Sequence, residues 1–242
     1  EETDGIPTNN ETVLHSLRVY AFVDGQPAGH FYTKDGLDVN NPSFLMHLTM
    51  YSTMTQKVDF YVVANEAAME TPGSSVLLTE NTTETQLNHF TFTKLNTSKG
   101  LPMFCKQTET IDLTQLSDKT PADPGHAGHT LLRQDLTFEL KRPIGKLGVF
   151  AAKPVGENSS LRVTGLTVLA SGTRTRNYLM PQTDETLKAI TGITGDISLE
   201  VVEEEVTKTL AENASQTDKE NPANYTPVLN ESFYLFENPW GS

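Results

Sequence analysis

Short apolar runs that alternate at a period of two, each broken by turn-forming residues, recur along most of this chain. That period belongs to half-buried β-strands, not to amphipathic helices. Leu17-Arg18-Val19-Tyr20-Ala21-Phe22-Val23 stops at Asp24-Gly25, a dipeptide suited to the positive φ angles of a tight turn, and predicts a hairpin into His30-Phe31-Tyr32. Phe44–Tyr51 puts Phe44, Met46, Leu48 and Met50 on one face, and Val58–Ala64 aligns Val58, Phe60, Val62 and Ala64. Asp135–Lys141 turns Leu136, Phe138 and Leu140 inward and polar residues outward. The fold class is therefore all-β.

One short helix is expected between Thr82 and Phe90, where Leu87 and Phe90 share a helical spacing and Thr83 can cap the N-terminus. Pro143 cannot donate to a ladder and interrupts an extended stretch whose apolar pattern resumes at Leu147–Ala152. The neighbourhood of Arg142 and Pro143 is thus the expected domain boundary, giving units 1–142 and 143–242. In Leu161–Leu169 the apolar parity switches at Gly165, which suggests a β-bulge. Thr173–Met180, Ile197–Val202 and Phe233–Phe236 are further strand candidates, whereas Ala211–Pro222 is polar, lacks either period and is expected to be a mobile surface loop. An aromatic strand followed by Glu-Asn-Pro-Trp-Gly-Ser suggests that further strands follow Ser242, and the polar start from Glu1 to Asn10 suggests a removed export signal.

With 18 Lys plus Arg against 31 Asp plus Glu, the net charge is -13, which repels phosphate backbones and anionic lipid. Nucleic acid is not an expected partner. The single cysteine, Cys105, excludes an internal disulfide and cannot alone make a zinc site, and no uninterrupted apolar run reaches the length of a membrane-spanning helix.

No recognisable catalytic motif is present: no G-x-S-x-G, no phosphate-cradling glycine loop and no HExxH. His126 and His129 sit in the breaker-rich loop Pro121–His129 without a third ligand in sequence, so they read as solvated histidines. Cys105 reads as a partly buried, unreactive thiol in a strand, since nothing adjacent would lower its pKa. Glu203-Glu204-Glu205 points its carboxylates alternately to opposite faces and does not converge on one ion. Of the aromatic residues Tyr234, Phe236 and Trp240, Phe236 is expected in the core, and Trp240, after Pro239, is the expected exposed ring and a candidate ligand contact. No catalytic residue, metal or cofactor is expected.

Several segments taken in order resemble the fimbrillin superfamily, the pilus subunits of Bacteroidales. LRVYAFVDG at 17–25 resembles the family's opening strand and turn, and KVDFYVVAN at 57–65 resembles the strand ending in Ala-Asn. Leu101-Pro-Met103, LTFELKRPIGKLGV at 136–149 and FYLFEN at 233–238 are similar to later elements, with Gly145 where the family usually carries Ala. The resemblance implies two transthyretin-like β-sandwiches in tandem and export as an outer-membrane lipoprotein. It also implies assembly into cell-surface fimbriae, with a neighbouring subunit's strand inserted into each subunit. The competing expectation is a carbohydrate-binding surface lipoprotein, resting on Trp240.

Overall fold

The computed structural model describes residues 13–34, 37, 42–71, 78–116, 118–119, 131–169, 174–189, 195–202 and 204–236. The chain is mostly strand and divides into two compact units. One is drawn from Asn10–Pro143 and Tyr178–Pro181, the other from Ile144–Asn177 and Gln182–Ser242 among its segments.

The first unit is organised by a four-stranded antiparallel sheet. Its strands are β1 (Leu17–Val23), β2 (Gln26–Thr33), β3 (Thr55–Ala64) and a later strand at Met103–Asp112, in the order β2, β1, β3, Met103–Asp112. The expected hairpin joins β1 to β2. Asp24 and Gly25 both take positive φ, 49° and 78°, which matches the right-handed twist of the flanking strands. β1 and β3 are central, paired on both edges, and every residue from Leu17 to Phe22 is buried, so both faces of β1 are covered.

On one face Leu17, Val19 and Ala21 of β1, Val58, Phe60, Val62 and Ala64 of β3, and Cys105 and Ile111 join a single buried cluster. On the other face the Phe22 and Tyr61 rings meet edge-on at 5.8 Å. That second face is covered by small elements in chain order: β4 (Met69–Glu70), α1 (Glu84–Asn88), β5 (Thr91–Phe92) and β6 (Lys94–Leu95), which pairs with β4. The outer strand Met103–Asp112 follows as β7. α1 forms where expected. Thr83 accepts from the Gln86 backbone N–H at 3.2 Å, and Gln86 Oε1 accepts from the Thr83 N–H at 2.8 Å. Leu87 is fully buried, and the Tyr61 hydroxyl donates to Glu84 at 2.8 Å. β8 (Asp118–Lys119) pairs with β9 (Leu131–Leu132) as a short ribbon.

The second unit holds short ladders. β10 (Ile144–Leu147) begins immediately after Pro143, and β11 (Phe150–Ala151), β12 (Lys153–Pro154) and β13 (Leu166–Val168) follow. β14 (Asn177–Tyr178), whose Tyr178 is counted in the first unit, pairs with β5 of that unit. α2 (Asp184–Ala189), β15 (Ile197–Leu199), β16 (Thr209–Leu210), α3 (Gln216–Glu220), β17 (Thr226–Pro227) and β18 (Phe233–Phe236) complete the order. β10 pairs with β18 and β11 with β17, so Ile144–Ala151 and Thr226–Phe236 form one interrupted antiparallel ladder. β12 pairs with β16 in parallel, and β13 with β15.

Two expectations are corrected here. The parity switch at Gly165 is a change of partner and not a bulge: Arg162 bridges to Glu205, whereas Leu166–Val168 pair with Ile197–Leu199. The irregular register instead falls between Ala21 and Phe22, in β1 against β2. Ala211–Pro222 is not structureless. Ser215 accepts from the Asp218 N–H at 3.1 Å and caps α3, within which Gln216 donates to Glu220 at 2.6 Å.

Candidate functional site

Two extended segments cover the clustered face of the four-stranded sheet. Phe44–Met50 runs beside β2: the Phe31 and Phe44 rings stack at 4.6 Å, and the Thr49 N–H reaches the Ala28 carbonyl at 2.6 Å. Gly29 permits that approach, because a Cβ there would lie 2.8 Å from the His47 carbonyl oxygen. Leu136–Leu140 lies along β7. Phe138 packs on Phe60 with ring centroids 5.4 Å apart, and Gln107 donates to the Thr137 carbonyl at 3.3 Å.

Both segments alternate as the sequence predicts, with Phe44, Met46, Leu48, Met50, Leu136, Phe138 and Leu140 packed against the cluster and the residues between them exposed. Neither is a strand of a ladder. Among the described residues their backbones share no hydrogen bond with each other, and none of the seven inward side chains is buried. Each of the seven faces the core yet keeps part of its surface in water.

The edge of β7 has the same character. Phe104 and Lys141 exchange both backbone bonds at 2.8 Å. By the antiparallel alternation, Lys106, Thr108 and Thr110 then also aim their backbone groups away from β3. Among the described residues no backbone partner meets them. On the inward side of β7, Gln107 donates to Glu109 at 2.5 Å, and burial pushes the Cys105 thiol up.

On the opposite face Arg18 is buried in β1. Its guanidinium donates to Glu66 at 2.6 and 2.8 Å, meets His30 Nε2 at 3.1 Å and lies 3.9 Å over the Tyr32 ring. Burial opposes the Arg18 charge, but the hydrogen bond and charge of Glu66 outweigh it, so its pKa is raised. His30 is lowered, first by burial and then by the Arg18 charge. The cluster is a satisfied buried ion pair.

His126, His129, Glu203 and Trp240 lie outside the described residues. Glu205 pairs with Lys153 at 3.4 Å, and Tyr234 and Phe236 are half-buried in β18. Phe44–Tyr51 reads in sequence as a core strand, whereas the structure makes it an extended segment outside any ladder; of β7 the sequence marks only Cys105 as lying in a strand and not the ten-residue extent. Its polar residues fall on both faces, as an outer strand permits, and only Met103-Phe104-Cys105 carries an apolar signal.

No family model and no curated protein matches the chain. Among solved structures it is similar to a fimbrial assembly protein from Parabacteroides distasonis, at 16% identity and a TM-score of 0.45 over 97% of this chain and 73% of that one. It is also similar to the tip fimbrial protein Mfa3 from Porphyromonas gingivalis with a C-terminal truncation, at 14% identity and a TM-score of 0.45 over 92% and 76%.

Proposed function

We propose that the chain is a structural or adhesive subunit of cell-surface fimbriae, exported as a lipid-anchored outer-membrane precursor, and that its first unit accepts an extended strand from a neighbouring subunit. The observation that carries this reading is the half-covered layer, in which seven core-facing apolar side chains on two unladdered segments all keep surface in water. An extended segment laid along them would pair with the outward backbone groups of Lys106, Thr108 and Thr110, which no backbone partner meets among the described residues, and set alternate side chains against theirs. Completing the burial of one such side chain contributes about 0.5 kcal/mol, roughly a quarter of what full burial gives. Seven together contribute several kcal/mol before the ordering of the incoming strand is subtracted. The fimbrillin-like motifs between Leu17 and Asn238 support the same reading, in which residues 1–142 and 143–242 form two transthyretin-like sandwiches.

Purified protein incubated with sibling subunits, or with synthetic peptides of alternating apolar sequence, tests this through amide hydrogen exchange. Exchange at Lys106–Thr110 and Leu136–Lys141 is expected to slow at least tenfold on insertion. Phe138→Asp is expected to abolish the slowing while the circular dichroism spectrum is kept. If no partner slows exchange, and deletion of the gene leaves fimbriae unchanged, the reading is wrong.

A further inference from the structure

The two most deeply buried hydrophobic side chains described after Pro143 are Leu179, at 0%, and Met180, at 1% exposure. Both belong to the first unit, which takes in Tyr178–Pro181. Tyr178-Leu179-Met180 is apolar and follows Asn177, itself 1% exposed, while Pro181 and Thr183 after it are exposed. The Leu179 N–H donates to the Phe90 carbonyl at 3.0 Å, and Tyr178 continues the pairing of β14 with β5. Pro181 has no N–H to extend that ladder, so the contact ends after one turn of pairing.

What these residues meet is otherwise an unfinished layer. Leu87, Phe90 and Phe92 are buried in the first unit, yet α1 has five residues and β5 only two. Elements so short do not hold themselves, since an isolated helix of that length is unstable in water and a lone two-residue strand more so. Their order has to come from packing.

We propose that Tyr178–Pro181 is a tie that closes the first unit's core from far along the chain. The four-stranded sheet and its α1–β5 layer then become one cooperative structure only when residues through Pro181 are present and docked. The first unit is in this sense discontinuous, and a chain ending in the connector near Pro143 lacks the residues that complete it.

Native-state hydrogen exchange on the full chain tests the proposal. Leu179→Ala is expected to accelerate exchange at the Val19, Val62 and Phe92 amides by roughly thirtyfold or more, as loss of a buried leucine in a single cooperative core requires. Should that variant fail to fold, Leu179→Val is expected to give the same pattern at roughly fivefold. Val206→Ala, at a buried site in the second unit, serves as the control. Acceleration at Val19, Val62 and Phe92 that follows the Leu179 variants and exceeds that from Val206→Ala supports the tie. The proposal is overturned if these amides change less than twofold in the Leu179 variants, or if Val206→Ala accelerates them equally.

Discussion

Asn65 shows how much one residue can be asked to do. Its backbone sits in the left-handed region at φ 55°, which asparagine tolerates better than most residues. Its side chain is fully buried: Oδ1 accepts from the His15 N–H at 2.7 Å, and Nδ2 donates to the Val13 and Leu101 carbonyls at 2.9 Å each. Asn65→Ala leaves those backbone groups buried without partners and adds backbone strain, a loss of about 3–5 kcal/mol. Asn65→Gly keeps the conformation and loses only the hydrogen bonds, so it should fall about 1–2 kcal/mol short of that loss in urea denaturation. Gly100 guards the same clamp. At φ 83° its added Cβ would sit 2.5 Å from Asn65 Nδ2, so Gly100→Ala should destabilise by a similar route. His30 supplies a pH dependence. Its folded-state pKa is lowered by burial and by Arg18, against the opposing charges of Glu80 and Glu66, so the native state binds protons less readily than the unfolded chain. Its contribution is complete above the unfolded value of 6.5 and is lost as pH falls through the lower folded value. Comparing denaturant midpoints at pH 7.5 and pH 5 should show a smaller drop for His30→Gln than for the unaltered protein, because glutamine can still accept from Arg18 and does not titrate. An equal drop would assign the pH dependence elsewhere.

At the level of elements, the reciprocal cap of α1 links sequence to sheet packing most directly. Thr83→Ala removes one orphan N–H's partner and should lower stability by about 1 kcal/mol, whereas Leu87→Ala opens the buried layer and should lower it by about 3 kcal/mol. Thermal melts of the two variants rank these effects, and a reversed order would mean that α1 is held by its cap and not by its packing. The Asp24-Gly25 hairpin, the central β3 and the capped α1 were legible because each announces itself locally, through a turn dipeptide, an apolar run or a Thr cap ahead of Leu87 and Phe90 at helical spacing. The full extent of β7 was not, although Cys105 read as part of a strand, because an outer strand has no need of a consistent apolar face, and Lys106, Gln107, Thr108 and Glu109 carry none. α3 was missed although Ser215-x-x-Asp218 is a capping signal, since its helix buries nothing. Phe44–Met50 and Leu136–Leu140 fall between these cases. Alternation records which side chains turn inward, and it is silent on whether the backbone between them finds a ladder. The half-covered layer was therefore visible in its parts and invisible as a site.

For the molecule as a whole, buried apolar surface is unevenly shared. The first unit carries a continuous buried cluster across its sheet, whereas Leu187, Val206, Val228 and Leu229 are the buried hydrophobic residues described in the second. Regions with few buried contacts open at lower free energy. The amides of Val206 and Val228, bonded to Leu161 and Val149 at 2.9 and 2.8 Å, should accordingly exchange faster than those of Val19 and Val62, and limited proteolysis should nick the second unit first. Slower exchange in the second unit would contradict this ordering. The discontinuity of the first unit also has a meaning in time. Phe92 and Leu179 are separated by roughly ninety residues, which a ribosome adds in about 5–20 s. For that interval Leu87, Phe90 and Phe92 await their cover, and a nascent chain stalled before Leu179 presents quality-control proteases with an unfinished protein in place of a finished half.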